Sequence, residues 1–268
     1  MSKQVPWQLK MFQKSLKKKL RLKALKKHLG NLSQVGQFLL VTCGDNNGAM
    51  NYHLRALGGK WQWADLEDKS LAEMAELLGE KVLHVPGGIL PFSDGTFDCV
   101  VSIDVHEHLA NPHFFTSELR RVTKDGGRIV VTVPNGDEKK LATRIKNAVG
   151  MTKEKYGHVV EGYDIPELKQ IFHANGITPL GESSFSGFFT EMLELTINFA
   201  YVMILANKSK ARVEQGTIAP SSRDQLKSVE KTYKMYSLIY PFFLAISKLD
   251  LLLFWSRGYV VVVNGQKG

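Results

Sequence analysis

The chain is predicted to be an α/β protein with a doubly wound, mostly parallel seven-stranded sheet, and three observations predict it. Short β-branched runs alternate with segments whose apolar residues recur at helical spacing. The runs are apolar throughout rather than alternating, as strands buried on both faces are. They end in acidic or glycine-containing turns, where the chain must reverse into a helix. The 268 residues, 44 % hydrophobic and 23 % charged, suffice for one such domain with appendages.

The elements follow in order. Residues 1–30 read as one or two basic helices: Leu9, Phe12, Leu16 and Leu20 share one face, and Leu22, Leu25 and Leu29 make a second that does not continue it. Gly30 ends the helix. Residues 37–43 (QFLLVTC) form the first strand, with a turn over 44–48 and a helix over 50–57. A strand over 61–64 ends at Asp65, a helix covers 71–78, and a strand covers 82–85. Residues 90–136 hold the clearest unit: a strand over 97–103 ending at Asp104, a helix with Phe114, Phe115, Leu119 and Val122 on its apolar face, the turn Gly126-Gly127, and a strand over 129–133. A helix over 165–174 has Asp164 as N-cap and Gly176 as stop. Strands over 177–185 and 259–263 complete the sheet.

Four regions result: a basic helical arm (1–30), a core (31–185), an apolar helical insertion (186–256) and a last core strand with its tail (257–268). The insertion joins two apolar blocks through a polar segment, 207–223, which reads as a flexible loop.

The net charge of +9 is lopsided. Residues 1–44 contain no Asp or Glu and hold ten of the 35 basic residues; beyond them 25 basic residues meet 26 acidic ones. The basicity belongs to the arm, not to the domain. Cys43 and Cys99 fall in expected buried strands, which suits a reducing compartment rather than a disulfide framework. No CxxC or HExxH spacing points to a metal, and none is expected. The start lacks the apolar core of a signal peptide, and charges or proline interrupt the two most apolar segments, 188–206 and 238–255.

In a doubly wound sheet, ligands bind beyond the carboxyl ends of the strands. The loops after Cys43, Ala64, Val85 and Ile103 therefore share one crevice. Gly44 and Gly48 would let a ligand approach the backbone, or they serve a plain strand-to-helix turn. Asp65 is placed to take ribose hydroxyls, or it caps a helix.

The chain resembles the class I S-adenosylmethionine (SAM) dependent methyltransferases, type 11-like, over about residues 36–185 with the last strand. Cys43-Gly44 matches the middle of the Asp-x-Gly-x-Gly-x-Gly loop, Asp65 the acid ending strand two, Leu90-Pro91-Phe92 with Phe97-Asp98 the turn before strand four, and Glu107-His108-Leu109 the Glu-His pair after it. The resemblance implies a Rossmann-like methyltransferase fold, SAM as cofactor and methyl transfer as activity. It implies cofactor contacts at Cys43, Gly44, Asp45, Gly48, Asp65, Gly87, Gly88 and Asp104. Leu40 stands where the family has its first-strand acid, Thr42 and Asn46 replace glycines, and Pro86 or Gly87 stands at the adenine position. Asp45 or Asp104 would then have to receive the cofactor's amino group.

Candidate catalytic residues are His158 as general base, His106 and Tyr163; His106 is expected to face the crevice more than His108. Their plain alternatives are a loop histidine and a helix cap, and Glu107 with His108 reads as a structural pair bonded to nearby backbone. Leucine, Phe12 and Trp7 among the lysines suit a helix at an anionic membrane surface, engaged through residues 1–28. Nucleic acid is an unfavoured partner because the domain itself is near neutral. The expected protein is a cytoplasmic, peripherally membrane-associated methyltransferase acting on a hydrophobic or lipid-linked small molecule. The alternatives are a soluble small-molecule methyltransferase with the insertion as lid or dimer face, and an inactive methyltransferase-like binding module.

Overall fold

The computed structural model describes residues 5–44, 47–208, 223–228 and 230–268. In chain order, α1 (Trp7–Gln13) and α2 (Leu16–Leu29) precede β1 (Gln37–Thr42), α3 (Ala49–Arg55), β2 (Lys60–Asp65), α4 (Leu71–Leu78) and β3 (Val82–His84). Then come β4 (Phe97–Ile103), α5 (Pro112–Val122), β5 (Thr123–Pro134), α6 (Leu141–Ala148), α7 (Ile165–Ala174) and β6 (Ile177–Phe185). The chain closes with α8 (Phe188–Lys208), α9 (Arg223–Ser228), α10 (Glu230–Ser247) and β7 (Val260–Lys267). The connection expected over 207–223 falls largely outside the described residues.

The seven strands form one sheet in the order β3-β2-β1-β4-β5-β7-β6. All neighbours are parallel except β7, which runs antiparallel to both β5 and β6. The order reverses between β1 and β4, and the crevice opens beyond their carboxyl ends. Two cores flank the sheet. Phe115 and Leu119 of α5 and Leu168 and Phe172 of α7 pack on one face; Leu25 and Leu29 of α2, Leu54 of α3 and Met74 of α4 pack on the other. Phe114, expected on the apolar face of α5, is 43 % exposed instead. Asn111 caps α5 by accepting from the Phe114 amide at 3.0 Å, and Asp164 with Glu167 forms a full capping box on α7.

The basic arm is part of this fold. It breaks at Lys14–Ser15, where the Ser15 hydroxyl caps α2, so the face expected over Leu9, Phe12, Leu16 and Leu20 is divided between two helices. Phe12, Leu16, Leu25 and Leu29 are buried, and Arg128 holds the Leu29 carbonyl at 2.7 Å. Each buried side chain contributes about 1.5–3 kcal/mol to holding the arm on the domain. Packing therefore decides where the arm lies. This corrects the expectation of an arm whose apolar face is offered to lipid: the domain takes that face.

A candidate cofactor and acceptor cavity under the arm

A cavity of about 300 Å³ opens at the carboxyl ends of β1 and β4. The β1–α3 loop supplies Cys43, Gly44, Asn47 and Ala49 to it, and Glu67 enters from beyond β2. Asp104, Glu107 and His108 line it from beyond β4. The arm roofs it with Met11, Phe12, Lys17 and Arg21, while α6, α8 and α10 form the far wall. The arm and the insertion thus enclose one space.

The roof is pinned by charge. Arg21 is ion-paired with Asp104, whose backbone sits at φ 49°, a conformation rare for a residue with a Cβ. Glu191 on α8 is completely buried and meets Lys17 from the arm at 2.9 Å, Lys146 from α6, and the Ser186 hydroxyl at 2.6 Å. Burial alone would raise its carboxyl, but the two lysines hold it well below the usual range. One carboxylate therefore ties arm, α6 and insertion together.

At the β1–β2 end every polar group is satisfied locally. Asp65 is buried, and its carboxylate accepts from the Thr42 hydroxyl (2.5 Å) and from the amides of Gly44 (2.8 Å) and Glu67 (2.9 Å). Asp65 is not among the residues that line the cavity and three bonds already turn its carboxylate inward, so the ribose role expected of it does not fit. Thr42, the departure from the family's first glycine, contributes the hydroxyl that completes this network. Burial raises the Asp65 carboxyl, and the three hydrogen bonds work against it. Glu67, two residues on, occupies the rim instead: a Cβ on Gly44 would come within 2.8 Å of its carboxylate. Gly44 at φ 52° keeps that approach open.

The other expected residues scatter. Gly48 begins α3 at φ 86°, where a Cβ would press on the Met74 backbone at 3.2 Å, so it serves helix packing rather than the cavity. Gly87 and Gly88 lie outside the lining; Gly88 faces Phe115. Asp45 falls outside the described residues. Burial pushes the Cys43 thiol up, so this wall residue stays a neutral thiol.

The catalytic expectations are redistributed. His106 is completely buried, edge-on to Phe115 with ring centroids 5.0 Å apart and its Nε2 3.0 Å from the Thr116 hydroxyl. The 3₁₀ turn over His106–His108 points His106 into the core and His108 into the cavity, the reverse of the expected facing. Tyr163 packs against the core and is not among the lining residues. His158 does line the cavity, beside His108 at 4.7 Å between centroids. Burial, with His108, Lys17 and Lys146 nearby, lowers its ring to about 3. Such a ring stays neutral at physiological pH and is a weak proton acceptor, which counts against a general base. Glu107 is not bonded to nearby backbone as expected. Among the described residues no other residue donates to either of its carboxylate oxygens, and burial first, then Asp104, raises its carboxyl well above the usual range.

A family model described as a methyltransferase domain matches residues 39–131. Over that stretch the chain is similar to methyltransferase domains, and its fold is that of the S-adenosylmethionine-dependent class. The cofactor of that class, S-adenosylmethionine, is a cation that needs backbone approach, acceptors for its ribose hydroxyls and acceptors for its amino group. Gly44, Glu67 and Asp104 line the cavity and could offer these, Asp104 with a buried Oδ1 that has no hydrogen-bond donor among the described residues. Among curated proteins, an uncharacterized protein of Methanocaldococcus jannaschii is 31 % identical over 119 residues, which are 44 % of this chain and 53 % of that one. The chain thus aligns with about half the length of that relative. Among solved structures, the geranyl diphosphate C-methyltransferase of Streptomyces coelicolor, bound to geranyl diphosphate and S-adenosylhomocysteine, superposes with a TM-score of 0.55 at 14 % identity, covering 94 % of this chain and 78 % of that one. The [4+2]-cyclase SpnF gives 0.56 at 16 % identity, covering 93 % and 82 %. Likeness at this level shows the methyltransferase fold; the cyclase shares it, so the chemistry must be argued from the cavity.

Proposed function

We propose that the protein transfers the methyl group of S-adenosylmethionine to a hydrophobic or lipid-linked small molecule at the surface of a membrane. The observation that carries this reading is the enclosure of the cavity. Carboxylates gather at the β1–β4 rim, while Phe12, Leu195, Tyr233 and Tyr236 add apolar surface on the arm, α8 and α10 beside the paired charges of Lys17, Lys146 and Glu191. The cofactor supplies an electrophilic methyl on a sulfonium. Glu67, Gly44 and Asp104 would hold it, and the roof formed by α1 and α2 excludes water and aligns the acceptor in line with the methyl.

The surface beside the cavity supports a lipid setting. Leu238, Phe242, Leu251, Leu252, Phe254 and Trp255 are 65–86 % exposed on α10 and the 3₁₀ segment after it. Residues Tyr233–Leu253 are long and apolar enough to cross a membrane. Yet Asp250 accepts from the amides of Gly187, Phe189 and Thr190, which fastens this segment to the start of α8. A segment so tied suits lying in the interface better than spanning it. The arm is the neighbour of α10: Lys14 and Lys19 each lie 5.1 Å from the Tyr240 ring, and Tyr233 bonds the Lys10 carbonyl at 3.0 Å. Its exposed lysines would face the same anionic leaflet. That the fold accommodates a prenyl diphosphate in the Streptomyces coelicolor enzyme is consistent with an acceptor of this shape.

Incubating the protein with labelled S-adenosylmethionine and an extract of membrane lipids, then analysing the lipids by mass spectrometry, tests the proposal. A lipid species heavier by one methylene, present only with the protein, is expected. Label appearing solely in water-soluble products would favour the soluble small-molecule reading.

A further inference from the structure

We propose that Glu107, His108 and His158 form a divalent transition-metal site in the cavity wall, with Zn2+, Fe2+ or Co2+ as the class of ion it takes. One ligand atom from each of the three lies within 4.8 Å of those of the other two. The donor set, two imidazoles and one carboxylate, is that of transition-metal sites with positions left open for water or substrate. Spacing in the sequence hides it, because the third ligand stands 50 residues after the Glu-His pair.

The second observation is the state of Glu107. The residue is completely buried, lines the cavity, and among the described residues no other residue donates to either carboxylate oxygen. A buried carboxylate without a partner is costly, and a bound cation is one of the few ways to offset it. Arg21 and Lys17, the nearest cations, are engaged by Asp104 and Glu191 respectively. Lys146 is likewise paired with Glu191, which compensates the positive charge next to His158.

The surroundings hold the ligands in place. His108 Nδ1 donates to the Gly157 carbonyl at 3.0 Å, which orients the ring. The Glu107 carbonyl accepts from the Val159 amide at 2.7 Å, fastening the residue after His158 to the carboxylate's own backbone. The His158 amide bonds the Lys153 carbonyl at 3.0 Å. A tetrahedral ion with bonds of about 2.0–2.1 Å sets its ligand atoms about 3.3 Å apart, so closure by at most about 1.5 Å completes the site. The open positions face the cavity, where an oxygen or nitrogen of a bound small molecule can enter.

Metal uptake is read without S-adenosylmethionine, so its outcome is independent of the methyl-transfer proposal. The full-length protein, stripped with EDTA and dialysed, is titrated with Co2+ and with Zn2+, following visible absorption and bound metal by mass spectrometry. One equivalent per chain is expected, with Co2+ bands of a low-symmetry N/O site. His158→Ala, at a partly exposed position, and Glu107→Gln should each weaken uptake at least about tenfold. Should Glu107→Gln fail to fold, His158→Ala carries the test alone. Wild-type protein that takes up no stoichiometric ion at micromolar concentration, or His158→Ala binding as wild type does, overturns the proposal.

Discussion

The two halves of the cavity rim treat their acids in opposite ways. Beyond β1 and β2, Asp65 is fully occupied by Thr42, Gly44 and Glu67, so the half closest to the family's glycine loop is a finished structural network. Beyond β4, Asp104 and Glu107 keep buried oxygens without a hydrogen-bond donor among the described residues, and His108 and His158 stand beside them. A satisfied carboxylate stabilises the fold, whereas an unsatisfied one costs free energy that only a ligand recovers. The first half therefore builds the crevice, and the second, with Glu67 from across the gap, is available to bind.

That contrast can be broken by mutation. The largest effect is expected for Asp65→Ala, which leaves the amides of Gly44 and Glu67 without their acceptor and removes the short bond from the Thr42 hydroxyl. It should cost about 3 kcal/mol or more and lower the Tm on the order of 10 °C, as read by thermal denaturation. A Tm near wild type would show that the network is dispensable. Arg21→Ala comes next: it leaves Asp104 without its partner and loosens the roof. A loss of about 2 kcal/mol is expected, since the pair is largely shielded from solvent. Limited proteolysis should then cut the arm sooner.

Glu107 sharpens the contrast through pH. Its carboxyl is raised in the fold, so its stabilising contribution is present below the unfolded value of about 4.3 and is lost as pH rises through the folded one. Metal-free Glu107→Gln should accordingly exceed wild type in stability at pH 8, with the two converging toward pH 4 in urea titrations. His106 and His158, drawn down to about 3 by burial, impose the opposite slope. Their contribution is present above about pH 6.5 and fades as pH falls toward 3. Both variants share this slope, so it cancels in their difference. The smallest stability effect is expected for Phe254→Ser with Trp255→Ser. These side chains are exposed, and a change within about 0.5 kcal/mol is expected. The same pair should reduce flotation with anionic vesicles, and unchanged flotation would remove this surface from the membrane proposal.

Much of the fold was legible because strands buried on both faces leave an unbroken apolar signature: β1, β4 and β5 show it plainly. Helix α6 was not. It begins without a side-chain cap, its first residue Leu141 is 56 % exposed, and it lies between two polar turns. The site was legible in its position and less so in its roles. Asp65 stands where an acid was expected, but the hydroxyl of Thr42 redirects it inward. The alternation of His106 and His108 depends on a single 3₁₀ turn, which no spacing rule encodes. The arm's place over the cavity rests on Arg21 reaching Asp104 across 83 residues of sequence. A run of lysines looks the same whether it faces lipid, solvent or a buried carboxylate.

The central claim is that S-adenosylmethionine binds in this cavity against Glu67 rather than Asp65. Isothermal titration calorimetry of wild type and Glu67→Ala tests it most directly. One site per chain is expected in wild type, with Glu67→Ala weakened at least about tenfold and its Tm, measured without ligand, unchanged. No binding to wild type at millimolar S-adenosylmethionine, or equal affinity in the two proteins, would contradict it.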